Sequence, residues 1–164
     1  MKIVEFKFTW TINNFSFCKE ETGDDLESAI FSAGSDEELK WKLHAYPKGV
    51  DEDSEDYVSL FLTLVSCRNQ TEVMTKYHLY ILNSKFEKAE NIGYEEEVKF
   101  ALEDNMTWGQ SYFIKSEVLL DKENGLLPDD NLTIICEGSA AVNRVNISGL
   151  SSGPPVELPD SMLS

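Results

Sequence analysis

The chain has 164 residues, 41% of them hydrophobic and 11% aromatic, which is enough for one globular domain with its own core. Thirty acidic residues against 14 basic ones give a formal net charge of −16 at pH 7. Such a charge repels nucleic-acid phosphates and anionic lipids, so we expect neither a nucleic acid nor a membrane surface as the main partner.

The sequence carries no obvious export or membrane signal. No apolar run approaches the roughly 20 residues of a membrane span, and the first residues lack the apolar core of a signal peptide. We therefore expect an intracellular protein, nuclear or cytoplasmic. Cys18, Cys67 and Cys136 are odd in number and far apart, so we expect small buried side chains and no disulfide framework, metal or cofactor.

Alternating apolar and polar residues dominate the chain and predict β-strands. In the first strand, Val4, Phe6, Phe8 and Trp10 form the predicted core face. Later strands place Trp41 and Leu62 in the core, whereas Phe61 points outward as a candidate contact residue. The predicted strands cover residues 2–12, 39–46, 58–65, 73–82, 98–102 and 132–136, with a shorter extended run at 106–113.

Only residues 114–120 have a helical pattern, about two turns long, with Ile114, Val118 and Leu119 facing inward. Seven or eight short strands at regular spacing with little helix predict an all-β antiparallel sandwich. Residues 1–145 form the predicted domain. The composition changes at 146–164, where Gly, Ser and Pro predict a linker or tail.

No pattern in the sequence indicates catalysis. Metalloprotease, nucleophile-elbow, phosphate-loop and dinucleotide motifs do not occur. The two histidines, His44 and His78, fall on predicted strands, and sequence leaves open whether either meets a cysteine in space. We therefore expect a non-catalytic protein.

The run from Met106 to Phe113 has two interpretations. Trp108-Gly109 can place an aromatic ring in the core while glycine allows close backbone approach. An edge strand of that kind offers backbone amides and carbonyls to an extended peptide. A plain strand before the helix explains the same residues.

Several longer stretches together resemble the MATH (meprin and TRAF homology) domain, in particular that of the speckle-type POZ family of adaptors. The resemblance covers about residues 2–149. It is carried by Trp10-Thr11-Ile12-Asn13-Asn14-Phe15-Ser16-Phe17-Cys18, Leu39-Lys40-Trp41, Tyr46-Pro47-Lys48-Gly49, Leu64-Val65-Ser66-Cys67, Trp108-Gly109, Phe113-Ile114, residues 124–130 and Val145-Asn146-Ile147-Ser148-Gly149.

This resemblance implies an eight-stranded antiparallel TRAF/MATH-like sandwich with one short helix. It also implies a substrate-recognition domain of a cullin–RING ubiquitin ligase adaptor that binds extended Ser/Thr-rich degron peptides in a shallow groove. In the family a following BTB/POZ domain dimerises and binds the cullin, and the chain stops where that domain would begin. The groove residues implied are His44, Phe61, Tyr77, Tyr94, Val98 and Phe100, with an edge run of Met106, Thr107, Trp108, Gly109, Gln110 and Ser111.

The groove departs from the family pattern. The family has arginine where His44 stands, and tyrosines at the positions of Phe61 and Val98. In the edge run only Trp108 and Gly109 are unchanged. Each lost hydrogen bond costs about 1 kcal/mol, so we expect weak binding to the usual degron and a preference for a more apolar or more basic peptide.

Two other functions stay open at this point. The first is a stand-alone scaffold or competitor, which would bind the same peptides as a monomer without recruiting a ligase. The second is a hydrolase, because MATH domains also accompany proteases, although the catalytic residues of those proteins lie in other domains.

Overall fold

The computed structural model describes residues 2–33, 36–68 and 70–142, which form two packed antiparallel sheets. Sheet A has the strand order β1-β9-β6-β7, and sheet B has the order β2-β4-β5-β8 with β3 also paired to β4. The strands are β1 (Lys2–Ile12), β2 (Leu26–Glu27), β3 (Phe31–Ala33), β4 (Asp36–Tyr46), β5 (Tyr57–Ser66), β6 (Glu72–Leu82), β7 (Lys88–Ala101), β8 (Thr107–Lys115) and β9 (Leu132–Val142).

The core lies between the sheets and follows the predicted alternation. Every second residue of the two central strands of sheet B is buried, because successive side chains of a strand point to opposite faces. Those residues are Leu39, Trp41, Leu43 and Ala45 on β4, and Val58, Leu60, Leu62 and Leu64 on β5. On β1, Val4 and Phe6 are buried, but Phe8 and Trp10 are only half-buried, since β1 is an edge strand.

The predicted antiparallel sandwich is confirmed, with differences in strand number and length. The described chain has nine strands. The additional short ones, β2 and β3, have two and three residues, too few for alternation to be visible in sequence. β7 begins at Lys88 instead of Val98, because Glu90 and the consecutive run Glu95-Glu96-Glu97 interrupt the apolar alternation and conceal its pattern. β9 continues to Val142 beyond the predicted end at Cys136.

The helix is shorter than predicted. α1 spans Ser116–Leu120, and Ile114 instead belongs to β8, one residue before its end, where it is buried. Leu119 is buried and Val118 is partly buried, as expected for the inward side. With this helix only five residues long, no helix in the described ranges could cross a membrane. The predicted linker at 146–164 lies outside the described residues.

On one side of the sandwich, the edge strands of the two sheets are consecutive in the chain. β7 is the last strand of sheet A and β8 is the last strand of sheet B. The indole Nε1 of Trp108 on β8 donates a hydrogen bond to the carbonyl of Lys99 on β7, at 3.0 Å. This bond ties the two edges together near the loop that joins them.

Candidate functional site

The outer face of sheet B brings three of the predicted site residues into one row. His44 on β4 lies opposite Phe61 on β5, and Phe61 lies opposite Gly109 on β8. The adjacent row, Leu43, Leu62 and Trp108, faces the core. Because the two rows alternate, the row with Phe61 faces away from the core.

Phe61 is half-buried and is held by its neighbours. Its ring makes an edge-on contact with the ring of Tyr46, with 5.7 Å between ring centroids. A Cβ atom on Gly109 would lie 2.8 Å from Phe61 Cδ2 and 2.1 Å from the carbonyl oxygen of Leu60. Only glycine fits beneath the ring. At this position, therefore, no side chain of β8 stands between the edge of the sheet and Phe61.

The edge strand β8 presents backbone groups on its open side. Its hydrogen-bonded neighbour among the described strands is β5 alone. Met106 O accepts from Leu64 N, so residues 106, 108 and 110 face β5 while residues 107 and 109 face the open side. Thr107 N donates to Asn105 Oδ1 at 3.1 Å. Within the described residues the amide and carbonyl of Gly109 have no partner on the open side, so they can pair with an incoming strand.

His44 lies beside two carboxylates and a lysine at the other end of this row. Its Nδ1 lies 2.6 Å from Asp25 Oδ2, and Glu27 is its cross-strand partner on β2. Lys42 Nζ pairs with Glu27 at 2.8 Å. Asp25, Glu27 and His44 have donor atoms within 4.8 Å of one another and could hold a metal ion, but the Lys42 and His44 contacts already account for both carboxylates.

The predicted placement of three other residues at a groove surface is corrected by the structure. Tyr77, Val98 and Phe100 are 1%, 8% and 0% exposed. Phe100 packs edge-on against Trp41, with 5.0 Å between ring centroids. These residues alternate on the core side of β6 and β7 in sheet A, so their side chains face the core instead of a ligand.

The remaining predicted residues lie at or near the β7–β8 edge. Tyr94, Met106 and Trp108 are partly buried and pack against the core. Gln110 Oε1 accepts from Tyr112 N at 3.0 Å, and the Ser111 carbonyl accepts from Ser59 Oγ at 2.6 Å. Side-chain and backbone groups of 110–111 are therefore partly used in shaping a bulge between β5 and β8.

Comparison with known proteins identifies the family. A family model described as the MATH domain matches residues 7–137. The chain belongs to the MATH domain family. Among solved structures, the chain is similar to TRAF5 of Notothenia coriiceps, with a TM-score of 0.56 and 17% sequence identity over 85% of this chain and 75% of that chain. At this identity the likeness shows the fold alone.

MATH domains are protein-interaction modules that are generally non-catalytic and bind partner proteins. In this MATH domain burial raises the pKa of all three thiols, those of Cys18, Cys67 and Cys136, so each stays protonated at neutral pH. The thiolate is the nucleophilic form of cysteine. Within the described ranges, neither His44 nor His78 hydrogen-bonds a cysteine: His44 binds Asp25, and His78 lies against Tyr80.

Sequence reasoning did not identify four residues of this region of the MATH domain. Tyr46 supports Phe61, while Asp25 and Glu27 surround His44. Glu96 on β7 accepts hydrogen bonds from Tyr94 on the same strand and from Tyr77 on β6. The alternation of β4 could have indicated Tyr46, because it shares the outward face with His44. The other three depend on contacts between distant segments or on the register of β7.

We expect the unfolding free energy of this MATH domain to fall as pH rises above about 9. Burial raises the pKa of Cys136 above 9.0, and burial with the nearby Glu96 carboxylate raises the pKa of Tyr77 above 10.0. The unfolded chain releases these protons near the ordinary values while the folded chain retains them. Each group therefore favours unfolding by about 1.4 kcal/mol per pH unit above that value.

Urea unfolding between about pH 8 and 11 measures this dependence. Tyr77→Phe removes one of the groups whose pKa is raised and should make the decline above pH 10 less steep, while the thiols and Tyr94 keep their contributions. A stability independent of pH up to 11 would contradict the expectation.

Proposed function

We propose that this MATH domain is the substrate-recognition part of an intracellular cullin–RING ubiquitin ligase adaptor of the speckle-type POZ family. In this role it binds extended, Ser/Thr-rich segments of its partner proteins. The observation that supports this most is the open edge of β8, where the backbone of Gly109 faces outward beside the ring of Phe61.

Such an edge is suited to an extended peptide. A peptide that adds as a strand to β8 gains main-chain hydrogen bonds from Gly109 and from the carbonyl of Thr107. A peptide side chain next to Gly109 meets no side chain on β8 and reaches Phe61 on the neighbouring strand. The backbone supplies affinity, and the apolar contact at Phe61 selects a nonpolar residue.

The charges around this edge support altered specificity. His44 stands where the family has arginine, and its Nδ1 faces the Asp25 carboxylate. Phe61 lacks the phenolic donor of the family residue at its position, whereas Val98 is buried and offers no group to a ligand. This surface therefore has fewer hydrogen-bond donors for peptide hydroxyls and more apolar or acidic groups. Binding to the usual degron is expected to be weaker than low-micromolar, and a tighter value would contradict altered specificity.

Phe61→Ala is expected to weaken peptide binding by at least about tenfold, the effect of losing an aromatic anchor worth about 1.4 kcal/mol or more. Fluorescence titration of a labelled peptide, with a nonpolar residue followed by polar and Ser/Thr residues, measures it. Val65→Ala is the matched control, because Val65 lies on the same outward side of β5 and is 39% exposed.

The variant and control together test the surface. Val65→Ala should leave binding unchanged, and both proteins should unfold at nearly the same urea concentration as the parent. If Phe61→Ala binds every peptide as tightly as the parent does, the peptide does not lie on this surface. The ligase part of the proposal is tested separately, by asking whether a product containing a POZ domain co-purifies with a cullin.

A further inference from the structure

Glu96 lies in the acidic run Glu95-Glu96-Glu97 but differs from its neighbours. Strand alternation places Glu95 and Glu97 on the exposed outer face of sheet A, whereas Glu96 turns toward the core side and is half-buried. Its neighbours on that side are Tyr94 and Val98. A carboxylate at such a position loses part of its hydration and requires compensation.

Two phenol groups orient this carboxylate. Tyr94 donates its hydroxyl to Glu96 Oε1 at 2.5 Å, and Tyr77 donates to the same oxygen at 3.1 Å. Burial raises the pKa of both tyrosines, and Glu96 raises them further, so both remain donors at neutral pH. Both donors bind Oε1, and in the described chain no hydrogen bond is made to Oε2.

No cation in the described ranges neutralises Glu96. The ion pairs found there use Asp25, Glu27, Glu72, Glu117 and Glu137 as their acidic members. The nearest lysines on β6 and β7 do not act as counterions of Glu96. Lys99 pairs with Glu72, and Lys76 is exposed on the outer face opposite Glu97. The site therefore holds a fixed, half-buried negative charge without a counterion.

Glu96 also lies within reach of a ligand on the neighbouring edge. β7 is the open end of sheet A, and the bond from Trp108 to the Lys99 carbonyl holds it against β8. Glu96 is three residues from Lys99, or about 10 Å along the strand. A peptide paired with β8 would run beside the β7 edge, and a lysine or arginine side chain of that peptide would extend toward Glu96.

We propose that Glu96 binds a lysine or arginine side chain of the partner peptide, with Tyr94 and Tyr77 as positioning residues. The inference rests on the proposed peptide-binding function and adds a substrate class to it: an extended segment with a basic residue near its nonpolar anchor. A guanidinium or ammonium group completes the hydrogen bonding of the carboxylate and neutralises its charge. The net charge of −16 favours the same class of ligand.

The test compares pairs of peptides that differ at one residue, which is lysine in one peptide and uncharged norleucine, of similar shape, in the other. One such pair is made for each position that flanks the nonpolar anchor. The parent domain should bind the best lysine peptide about tenfold more tightly than its norleucine partner. Glu96→Gln should remove this preference while leaving the affinity for the norleucine peptide unchanged. Glu95→Gln is the matched control, because it removes the same charge from the outer face and should keep the preference.

A second measurement does not depend on the β8 surface. Nα-acetyl-arginine amide, added at millimolar concentration, should shift the backbone amide NMR signals of β7 around Glu96 saturably in the parent. In Glu96→Gln the shifts should disappear. Glu96→Asp, which withdraws the carboxylate by one methylene, should reduce them, and it serves as the second variant if Glu96→Gln is poorly folded.

Equal binding of the two peptides at every position, or an unchanged preference in Glu96→Gln, would overturn the assignment of Glu96. Absence of amide shifts in the parent would overturn it as well. Failure of the proposed function has a different signature: Phe61→Ala would leave both peptides bound as before, whereas the arginine amide would still shift the β7 signals.

Discussion

Gly109→Ala is expected to destabilise the domain by about 3 kcal/mol, at the upper end of the cost of overpacking, and to abolish peptide binding at the β8 edge. The added Cβ would lie 2.1 Å from the Leu60 carbonyl oxygen and 2.6 Å from Phe61 Cα. Both atoms belong to the backbone of β5 and cannot rotate away. The methyl group therefore forces β8 away from β5 and displaces the Phe61 ring.

Gly93→Ala is the control for this change. Gly93 also lies within a strand, β7, but its added Cβ would meet His78 Nε2 and the Leu79 carbonyl at 3.3 Å, a tight contact that small shifts relieve. Urea unfolding and peptide titration of both variants give the comparison. A Gly109→Ala protein as stable as Gly93→Ala, with binding intact, would show that β8 tolerates a side chain there.

Trp41→Ala should cost about 3–5 kcal/mol, which is a large part of the stability of a domain of this size. Trp41 is fully buried on β4. Its ring stacks on Phe6 and receives the edge of Phe100, each with ring centroids 5.0 Å apart. Removing the ring leaves a cavity between the sheets that this rigid core fills only in part.

Trp41→Phe separates ring packing from the polar group. The indole Nε1 of Trp41 is buried, and the described part of the chain offers it no hydrogen-bond partner. Phenylalanine keeps an aromatic ring and removes that unsatisfied group, so its cost should be much smaller than that of alanine. Thermal and urea unfolding measure both variants. Equal losses for phenylalanine and alanine would mean that the full volume of the indole, and not the presence of a ring, determines the stability here.

Much of the fold could be predicted because burial and strand alternation coincide in sheet B. Leu39 to Ala45 and Val58 to Leu64 alternate apolar and polar residues, and their apolar sets form the core. The first ten residues of β7 could not be predicted in this way. Tyr94 and Glu96 share a core-facing side, but a glutamate there breaks the apolar pattern, and its two tyrosine donors become evident only in three dimensions.

The candidate site was predictable to a similar degree. The outward direction of Phe61 follows from the two-residue period of a strand. The close backbone approach at Gly109 follows from the small size of glycine. The burial of Tyr77 and Phe100 follows from the same period, since Tyr77 alternates in step with Leu79 and Ile81. Resemblance assigned these two residues to a groove against that pattern, and the pattern was correct about their exposure. The pairing of His44 with Asp25 joins residues 19 positions apart and required the fold.

The edge strands β7 and β8 lie on the same side of the sandwich but differ in how they resist pairing with a strand of another copy of the chain. β7 carries exposed glutamates at positions 90, 95 and 97, so two β7 edges repel each other. β8 has no charged residue between Thr107 and Ile114. Of the two borders, only β8 lacks electrostatic protection, and a domain purified at high concentration should self-associate there unless a ligand strand already covers it.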